Sequence, residues 1–518
     1  MRRRLVENGT LVLAAVLLLL HFLHLRADFP NHSPWNDWAK YTDEGWYGDA
    51  AIRHYLRGTW HLPGDFNAGV ALPVWPLMEA LLFRFTGVGI IAARALTVTL
   101  FGCTLLASFL LLHGRVQEGR RMRLRTIFAA AACVLLAASP FLYAFSRMAI
   151  LEPLLVLLTL LALLAAYVLR RARERLQRIA LAAGVGLLVA LMIGTKTTAI
   201  FLLPAVTYML AASAHWRWRR MLATVGTAAA AAALPCAIYL AYVAHYGYLR
   251  DFRYLFSANG YTGITRATLV QVVHETFHNG LWMGPLLYPV ALIAICIALL
   301  RRNVWRDPVF VSLLLWVLGY FAFLAYHANP QPRYYFVIAV PLALLLARAA
   351  LHLAEWNWLA LYGLLPLMLV LVVLDGAQMM GYVQHPEYSF QTAAERIEQV
   401  VESEPGHSHT VLSVSGSDLS LMTGLPSICD DFGTMVLEDR IATYKPGWFV
   451  SWNYLEDDKM ATLSKFYSLT RVAQFAAMDD PDRNLMIVYR LDAKAGTQPK
   501  RRRPGARVLP MHLPVARR

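Results

Sequence analysis

Residues Ile90–His113 read IIAARALTVTLFGCTLLASFLLLH, a run of 24 residues in which Arg94 is the one side chain of fixed charge. An α-helix of this length extends about 36 Å, enough to cross a hydrocarbon core of about 30 Å. The run therefore predicts a membrane-spanning helix.

Similar apolar blocks lie on both sides of this run. The chain has 518 residues, is 58% hydrophobic and has a mean hydropathy of +0.45, which is more apolar surface than one soluble core can bury. We therefore predict a mainly α-helical, polytopic membrane protein with about eleven spanning helices. The predicted blocks are Val12–Leu25, Ile90–His113, Ile127–Tyr143, Leu154–Leu169, Ile179–Ile193, Thr198–Ala214, Leu222–Ala244, Leu281–Leu300, Val309–Tyr326, Phe336–Leu353 and Trp358–Leu374.

The formal charge of +15 is distributed in short basic clusters between these blocks. Nucleic-acid binding would instead gather the charge on one soluble face, so we expect no nucleic-acid partner. Clusters such as Arg2–Arg4, Arg170–Arg178 and Arg217–Arg220 fall on alternate loops, and the positive-inside rule places these loops in the cytoplasm. The prediction is a multi-pass plasma (inner) membrane protein with a cytoplasmic N-terminus and an extracytoplasmic C-terminal domain.

Three regions are predicted along the chain: a membrane domain over residues 1–380, an extracytoplasmic α/β domain over 381–492 and a disordered basic tail over 493–518. In the first external loop, prolines and charges interrupt the apolar stretch Leu72–Phe85, which is typical of an interfacial helix. In the C-terminal domain the residue patterns predict a helix over Ser389–Glu404 and strands over Thr410–Val414 and Asn484–Tyr489.

Charged side chains at or near span ends are costly unless they are paired or hydrated, so they are functional candidates. Each also has a structural interpretation. The carboxylates of Asp43 and Glu44 could cap a helix predicted to start at Gly45, Arg147 could pair with Glu152, and Lys196 could reach the interface along a helix end. Arg333 and Tyr334 could belong to an interfacial aromatic belt, and Arg94 is equally open.

The predicted topology places all of these charges on the same membrane face. They are Asp43, Glu44, Arg94, Arg147, Glu152, Lys196 and Arg333. Arginine and lysine suit a phosphate, and a carboxylate suits proton removal from an acceptor hydroxyl or amine. The set therefore predicts a site for a lipid-linked phosphate and a second substrate.

Between Leu11 and Leu374 the sequence resembles GT-C type glycosyltransferases, in the branch with protein O-mannosyltransferases and the aminoarabinose transferases of lipid A. The resemblance rests on motifs in the same order. They are Asp43-Glu44 after the first span, Gly89 to Gly114 with Arg94, Ser146-Arg147 with Glu152, Thr195-Lys196, and Pro332-Arg333-Tyr334.

The resemblance implies transfer of a hexosyl or pentosyl unit from a polyprenyl phosphate to a lipid, glycan or protein acceptor. It also implies that membrane lipids surround the protein as partners. It implies catalytic roles for Asp43, Glu44 and Glu152, with Asp43 as general base and Glu152 positioning the acceptor or a cation. It implies that the donor phosphate is bound by Arg94, Arg147, Lys196, Arg333 and Tyr334. Relatives of the aminoarabinose type carry Lys-Pro-Pro-Leu where this chain has Ala71-Leu72-Pro73-Val74, so that donor is not carried over.

Two alternatives stay open. His274-Glu275-Thr276-Phe277-His278 matches H-E-x-x-H, the zinc motif of metalloproteases, although we expect it in an external loop and find no clear third ligand. A non-enzymatic transporter of lipid-linked sugars could use the same basic residues, but no inverted repeat supports it. The metal requirement is unknown, and a divalent cation as cofactor is one alternative.

Overall fold

The computed structural model describes residues 2–114, 120–258, 261, 263–278, 287–327 and 331–496. Part of the predicted block Leu281–Leu300 and most of the predicted tail, residues 497–518, lie outside the described residues.

Within the described residues each of the eleven predicted blocks contains a helix, and the predicted mainly α-helical, polytopic membrane fold class is confirmed. Within the described residues, seven helices are long and apolar enough to cross a membrane. They are α4 (Ile90–His113), α7 (Leu151–Leu169), α8 (Arg175–Thr195), α10 (Trp218–His245), α14 (Pro308–Tyr326), α15 (Phe336–Trp356) and α16 (Ala360–Gln384). The other blocks contain one bent pair and three helices with shorter apolar stretches. These are α1 (Arg2–His21), which is apolar over Gly9–His21, α9 (Leu203–Ser213) and α13 (Leu287–Leu299).

The bent pair consists of α5 (Arg120–Ala138) and α6 (Pro140–Ser146), whose axes differ by 66°. The break occurs because Pro140 lacks an N–H group and favours an extended residue before it. Ser139 is extended, and its hydroxyl accepts a hydrogen bond of 3.3 Å from the Leu142 amide, which caps α6. The pair counts as an eighth span if it crosses the membrane as one unit.

Two helices fill the loop between α1 and α4, namely α2 (Ala39–Arg57) and α3 (Val74–Thr86). The predicted interfacial helix corresponds to α3, which buries Trp75 and Phe83 and exposes Leu81 and Phe85. An amphipathic helix of this kind can lie in the membrane interface. Between α10 and α13 the chain forms α11 (Leu249–Ala258) and α12 (Arg266–His278).

The C-terminal part contains four α-helices around one five-stranded sheet. In chain order it forms α17 (Ser389–Glu402), β1 (Val411–Leu412), α18 (Gly416–Thr423), β2 (Ser427–Ile428), α19 (Leu437–Tyr444), β3 (Trp448–Trp452), α20 (Glu456–Leu463), β4 (Tyr467–Ala476) and β5 (Leu485–Ala493). The strand order is β2-β1-β3-β5-β4, with β2, β1 and β3 parallel and β5 antiparallel to its two neighbours. The two predicted strands correspond to β1 and β5.

Helix α2 connects the C-terminal part to the helix bundle. Gly45 contacts the backbone of α18 at Ser417 and Asp418, an approach that leaves no room for a Cβ atom. On the same side of α2 the Trp46 indole donates a hydrogen bond of 2.9 Å to the Val414 carbonyl. The sheet side of α2 is therefore fixed by close packing, and this packing orients the carboxylates of its first turns toward the bundle.

Candidate active site

Asp43 lies in the first turns of α2 and faces the start of α15. Its Oδ2 atom is 3.0 Å from Nη2 of Arg333, and its Oδ1 atom accepts a hydrogen bond of 3.0 Å from the Thr42 hydroxyl. The residue is 3% exposed. Burial raises the pKa of Asp43, while the charge of Arg333 acts in the opposite direction. The carboxylate is thus held beside a cation in a place that makes it more basic than an exposed aspartate.

Arg333 is paired most extensively with Asp37. The Arg333 amide donates a hydrogen bond of 2.7 Å to Asp37 Oδ2, and its guanidinium pairs with Oδ1 of the same carboxylate. The sequence predictions did not include Asp37. Its local signal is that of a helix cap, because Oδ1 also accepts a hydrogen bond of 2.8 Å from the Ala39 amide. The partner almost 300 residues away in sequence could not be identified from spacing.

Lys196 and Glu152 form a second ion pair next to the first. Lys196 is extended and ends α8, and its ammonium group pairs with Glu152 Oε1. The same Oε1 atom is 4.0 Å from Nε of Arg333, which joins the two ion pairs. Burial lowers the pKa of Lys196, and the charge of Glu152 counteracts that effect.

Tyr334 lies beneath both cations. The Lys196 ammonium is 4.4 Å and the Arg333 guanidinium carbon is 4.9 Å from the centre of its ring, distances at which cation–π attraction is effective. We name the set Asp37, Asp43, Glu152, Lys196, Arg333 and Tyr334 the Arg333 cluster. Five of its six members were predicted from the sequence to belong to one site.

Glu44 and Arg94 form a separate pair outside the Arg333 cluster. Arg94 donates from Nε to Glu44 Oε1 at 2.8 Å and from Nη2 to Oε2 at 2.6 Å. Its Nη1 group donates to the carbonyls of Leu25 and Ala27, and Glu44 Oε1 also accepts from the Ala149 amide. The pair therefore ties α2 to α4, to the chain after α1 and to the connection before α7.

Arg147 is also engaged away from the Arg333 cluster. It donates a hydrogen bond of 2.7 Å to the Tyr143 hydroxyl and further hydrogen bonds to the carbonyls of Leu23 and His24. Phosphate binding by Arg94 and Arg147, and catalysis by Glu44, stay predictions. Each would require these side chains to exchange contacts that fix the backbone.

Two further buried carboxyls lie near Glu44, and the sequence predictions included neither. Glu79 on α3 contacts Gly48 of α2, and Asp418 begins α18 beside Gly45. Burial raises the pKa of both carboxyls well above the ordinary range, and the nearby charge of Glu44 raises it further. Glu44 is the carboxylate to which Arg94 donates its hydrogen bonds.

The H-E-x-x-H stretch lies on α12 and not in the predicted loop. The helix starts after Thr265, whose hydroxyl accepts a hydrogen bond of 3.1 Å from the Thr268 amide, a capping contact. The side chain of His278 lies outside the described residues. Within the described part of the chain, no three His, Cys, Asp or Glu side chains are grouped so that they could hold a metal ion. Thr276 is 3.3 Å from the Tyr335 hydroxyl, so α12 lies beside the segment that bears Arg333.

The fold was compared with known proteins. No family model and no curated protein matches the sequence. Among solved structures, ArnT from Cupriavidus metallidurans bound to undecaprenyl phosphate has a TM-score of 0.60 at 13% identity, over 93% of this chain and 98% of that chain. The oligosaccharyltransferase AglB from Archaeoglobus fulgidus, in complex with an inhibitory peptide and a dolichol-phosphate, has a TM-score of 0.54 at 12% identity, over 93% of this chain and 74% of that chain.

The chain has the GT-C fold. The similarity to ArnT covers 93% of this chain, so it includes both the helix bundle and the C-terminal part with the sheet. Its apolar helices and its fold both indicate that the protein is an integral membrane protein.

Glu44→Gln should destabilise the protein, because Arg94 would keep its buried charge without a charged partner. Removing one member of a buried ion pair costs about 3 kcal/mol or more of unfolding free energy. Thermal unfolding in detergent, compared with wild type, measures the effect. As control, Glu438→Gln replaces an exposed carboxylate on α19 and should leave the unfolding temperature unchanged. An unfolding temperature equal to that of wild type in Glu44→Gln would contradict the structural role.

Proposed function

We propose that the chain is a membrane glycosyltransferase that moves a sugar from a polyprenyl-phosphate donor to a lipid, glycan or protein acceptor at the extracytoplasmic membrane face. The observation that carries the proposal is the buried Arg333 cluster, which combines a candidate base with two cations. The fold supports it, because ArnT and AglB are transferases of the same fold whose structures contain undecaprenyl phosphate and dolichol-phosphate.

Lys196 is the better candidate of the two cations for the donor phosphate. Arg333 already divides its guanidinium between Asp37 and Asp43. An ammonium group has three N–H donors, so Lys196 can keep Glu152 and donate to a phosphate oxygen as well. In this assignment Lys196 contacts the phosphate, while Arg333 adds positive charge and holds Asp43 in place.

The charges of the Arg333 cluster constrain how an anion can bind. Three carboxylates face two cations, a formal charge of minus one when all are ionised. A phosphate would increase this negative charge, so its binding requires either a proton or a divalent cation to enter with it. The described residues offer no group of three acidic, His or Cys ligands for a metal.

In the proposed reaction, Asp43 removes a proton from the acceptor hydroxyl or amine as the acceptor attacks the anomeric carbon of the sugar. The bond from that carbon to the phosphate oxygen breaks, and polyprenyl phosphate leaves with the electron pair. Attack on the face opposite the phosphate inverts the configuration. When Asp43 takes up the proton, Arg333 keeps its pair with Asp37, so its buried charge stays compensated.

Asp43→Asn should lower transfer by about 10²- to 10⁴-fold, the usual contribution of a general base, while donor binding is largely kept. Release of polyprenyl phosphate from membrane-extracted lipid-linked sugars by purified protein measures transfer. Asp49→Asn is the matched control, because Asp49 is a buried aspartate of the same helix that pairs with Arg53 outside the Arg333 cluster. It should retain turnover per folded molecule.

Turnover of Asp43→Asn equal to that of Asp49→Asn would refute Asp43 as base. His274→Ala and the zinc content of the wild type distinguish the protease alternative, since a zinc protease would lose both metal and peptide cleavage. A transporter would bind the donor in all variants and release no polyprenyl phosphate.

Lys196→Gln should weaken donor binding about tenfold or more, because a charge-assisted hydrogen bond to phosphate contributes about 1.5 to 3 kcal/mol. Equilibrium binding of a polyprenyl-phosphate sugar in detergent measures the change. Lys40→Gln is the control, since Lys40 is also buried and also paired with one acid, Asp479, in a different place. Equal losses in the two variants would indicate a structural effect and remove Lys196 from the donor site.

The acid limb of the kcat/KM profile should lie at a higher pH than the pKa of an exposed aspartate. Asp43 must be ionised to act as base, and because burial raises its pKa, activity is lost as the pH falls through that raised pKa. Thr42→Val should move the limb to still higher pH, since the Thr42 hydroxyl donates to the carboxylate and stabilises its ionised form. A limb that Thr42→Val leaves unmoved would argue against Asp43 as the titrating group.

A further inference from the structure

A polar cavity lies at the end of the bundle opposite the Arg333 cluster. Its volume is about 470 Å³, within the usual range for small-ligand sites. It lies where α7 ends, where the chain passes from α13 to α14, and near the last turns of α15. The positive-inside rule predicts that this end faces the cytoplasm.

The lining of the cavity is strongly basic. Five arginines face two carboxylates, which gives a formal charge of +3 with His352 neutral. The arginines are Arg125, Arg170, Arg301, Arg306 and Arg348. They come from four separate parts of the chain, so the fold brings the charge together and local sequence does not.

One of the two carboxylates is already neutralised by neighbours. Asp307 accepts a hydrogen bond from Arg348 Nε at 2.5 Å and contacts His352 Nε2 at 2.8 Å. Its other oxygen accepts from the Val309 amide at 3.1 Å and caps α14. Asp307 therefore fixes Arg348 and the start of α14, while the other arginines provide the positive field of the cavity.

Exposed tryptophans lie in and beside the cavity wall. Trp356 forms part of its wall and is 58% exposed, and the Arg301 guanidinium lies 4.3 Å from the centre of its ring. Trp305, on the connection between α13 and α14, is 53% exposed. Exposed tryptophans at the end of membrane helices mark the headgroup region of the bilayer. The cavity is thus positioned where lipid phosphates are abundant.

We propose that this cavity binds the phosphate-bearing headgroup of an anionic membrane phospholipid. One guanidinium group can donate two parallel hydrogen bonds to two phosphate oxygens. Basic pockets between helices on the cytoplasmic side are typical sites for anionic lipid headgroups. A soluble phosphate shares this chemistry, but the exposed Trp356 in the cavity wall favours a ligand that remains in the bilayer. The proposal does not depend on the glycosyltransferase assignment.

The test is titration of phosphatidylglycerol into the full-length protein in a non-ionic detergent, with native mass spectrometry to count bound lipid. Wild type should bind one lipid saturably, and phosphatidylcholine with the same acyl chains should bind at least tenfold more weakly. The double variant Arg170→Gln/Arg306→Gln should lose about 25-fold in affinity, because each basic residue contributes about fivefold at an anionic headgroup.

The matched control is Arg173→Gln/Arg302→Gln. This variant also removes two arginine charges from the same two connections, but at exposed positions that do not line the cavity. Its affinity for phosphatidylglycerol should stay within twofold of wild type. Equal losses in both double variants, or equal binding of the two lipids, would overturn the proposal. Inorganic phosphate that displaces phosphatidylglycerol at equal concentration would assign the cavity to a soluble anion and overturn the lipid headgroup.

Discussion

The pairing of Arg333 with Asp37 and Asp43 is the interaction on which the site depends. A guanidinium removed from water costs several kcal/mol unless carboxylates surround it, so the start of α15 and the segment before α2 must meet. Lys196 and Glu152 extend the network from two other helices. Four distant parts of the chain are brought together by one requirement, the compensation of buried charge.

The charged residues at this face divide into two groups by their contacts. One group makes hydrogen bonds to backbone carbonyls and amides and so sets the positions of α1, α2 and α4. It consists of Glu44, Arg94 and Arg147. Asp43 and Lys196 contact charged side chains of the Arg333 cluster, where the proposed donor phosphate would meet Lys196. Sequence motifs cannot separate the groups, since both consist of acids and bases at the ends of apolar helices.

Much of the fold could be predicted from the sequence, because apolar block length and basic loops report directly on the membrane. The common face of Asp43, Glu152, Lys196 and Arg333 followed from topology alone. The partners did not, since ion pairs between distant segments have no spacing rule. Asp37 was missed because its local pattern is that of a cap. Helix α12 was taken for a loop because its 13 residues are too short and too polar for a span and lie between two predicted spans.

Helix α2 has one face against the sheet-bearing part and another toward the Arg333 cluster. Tyr41 packs on Trp452 and Gly45 contacts the α18 backbone, while Asp43 faces the opposite way. Exchange of the C-terminal part with that of another protein of this fold would therefore alter the support of the site without replacing any residue of the Arg333 cluster. The two parts must diverge together, and a chimera inherits the geometry of its site from both parents.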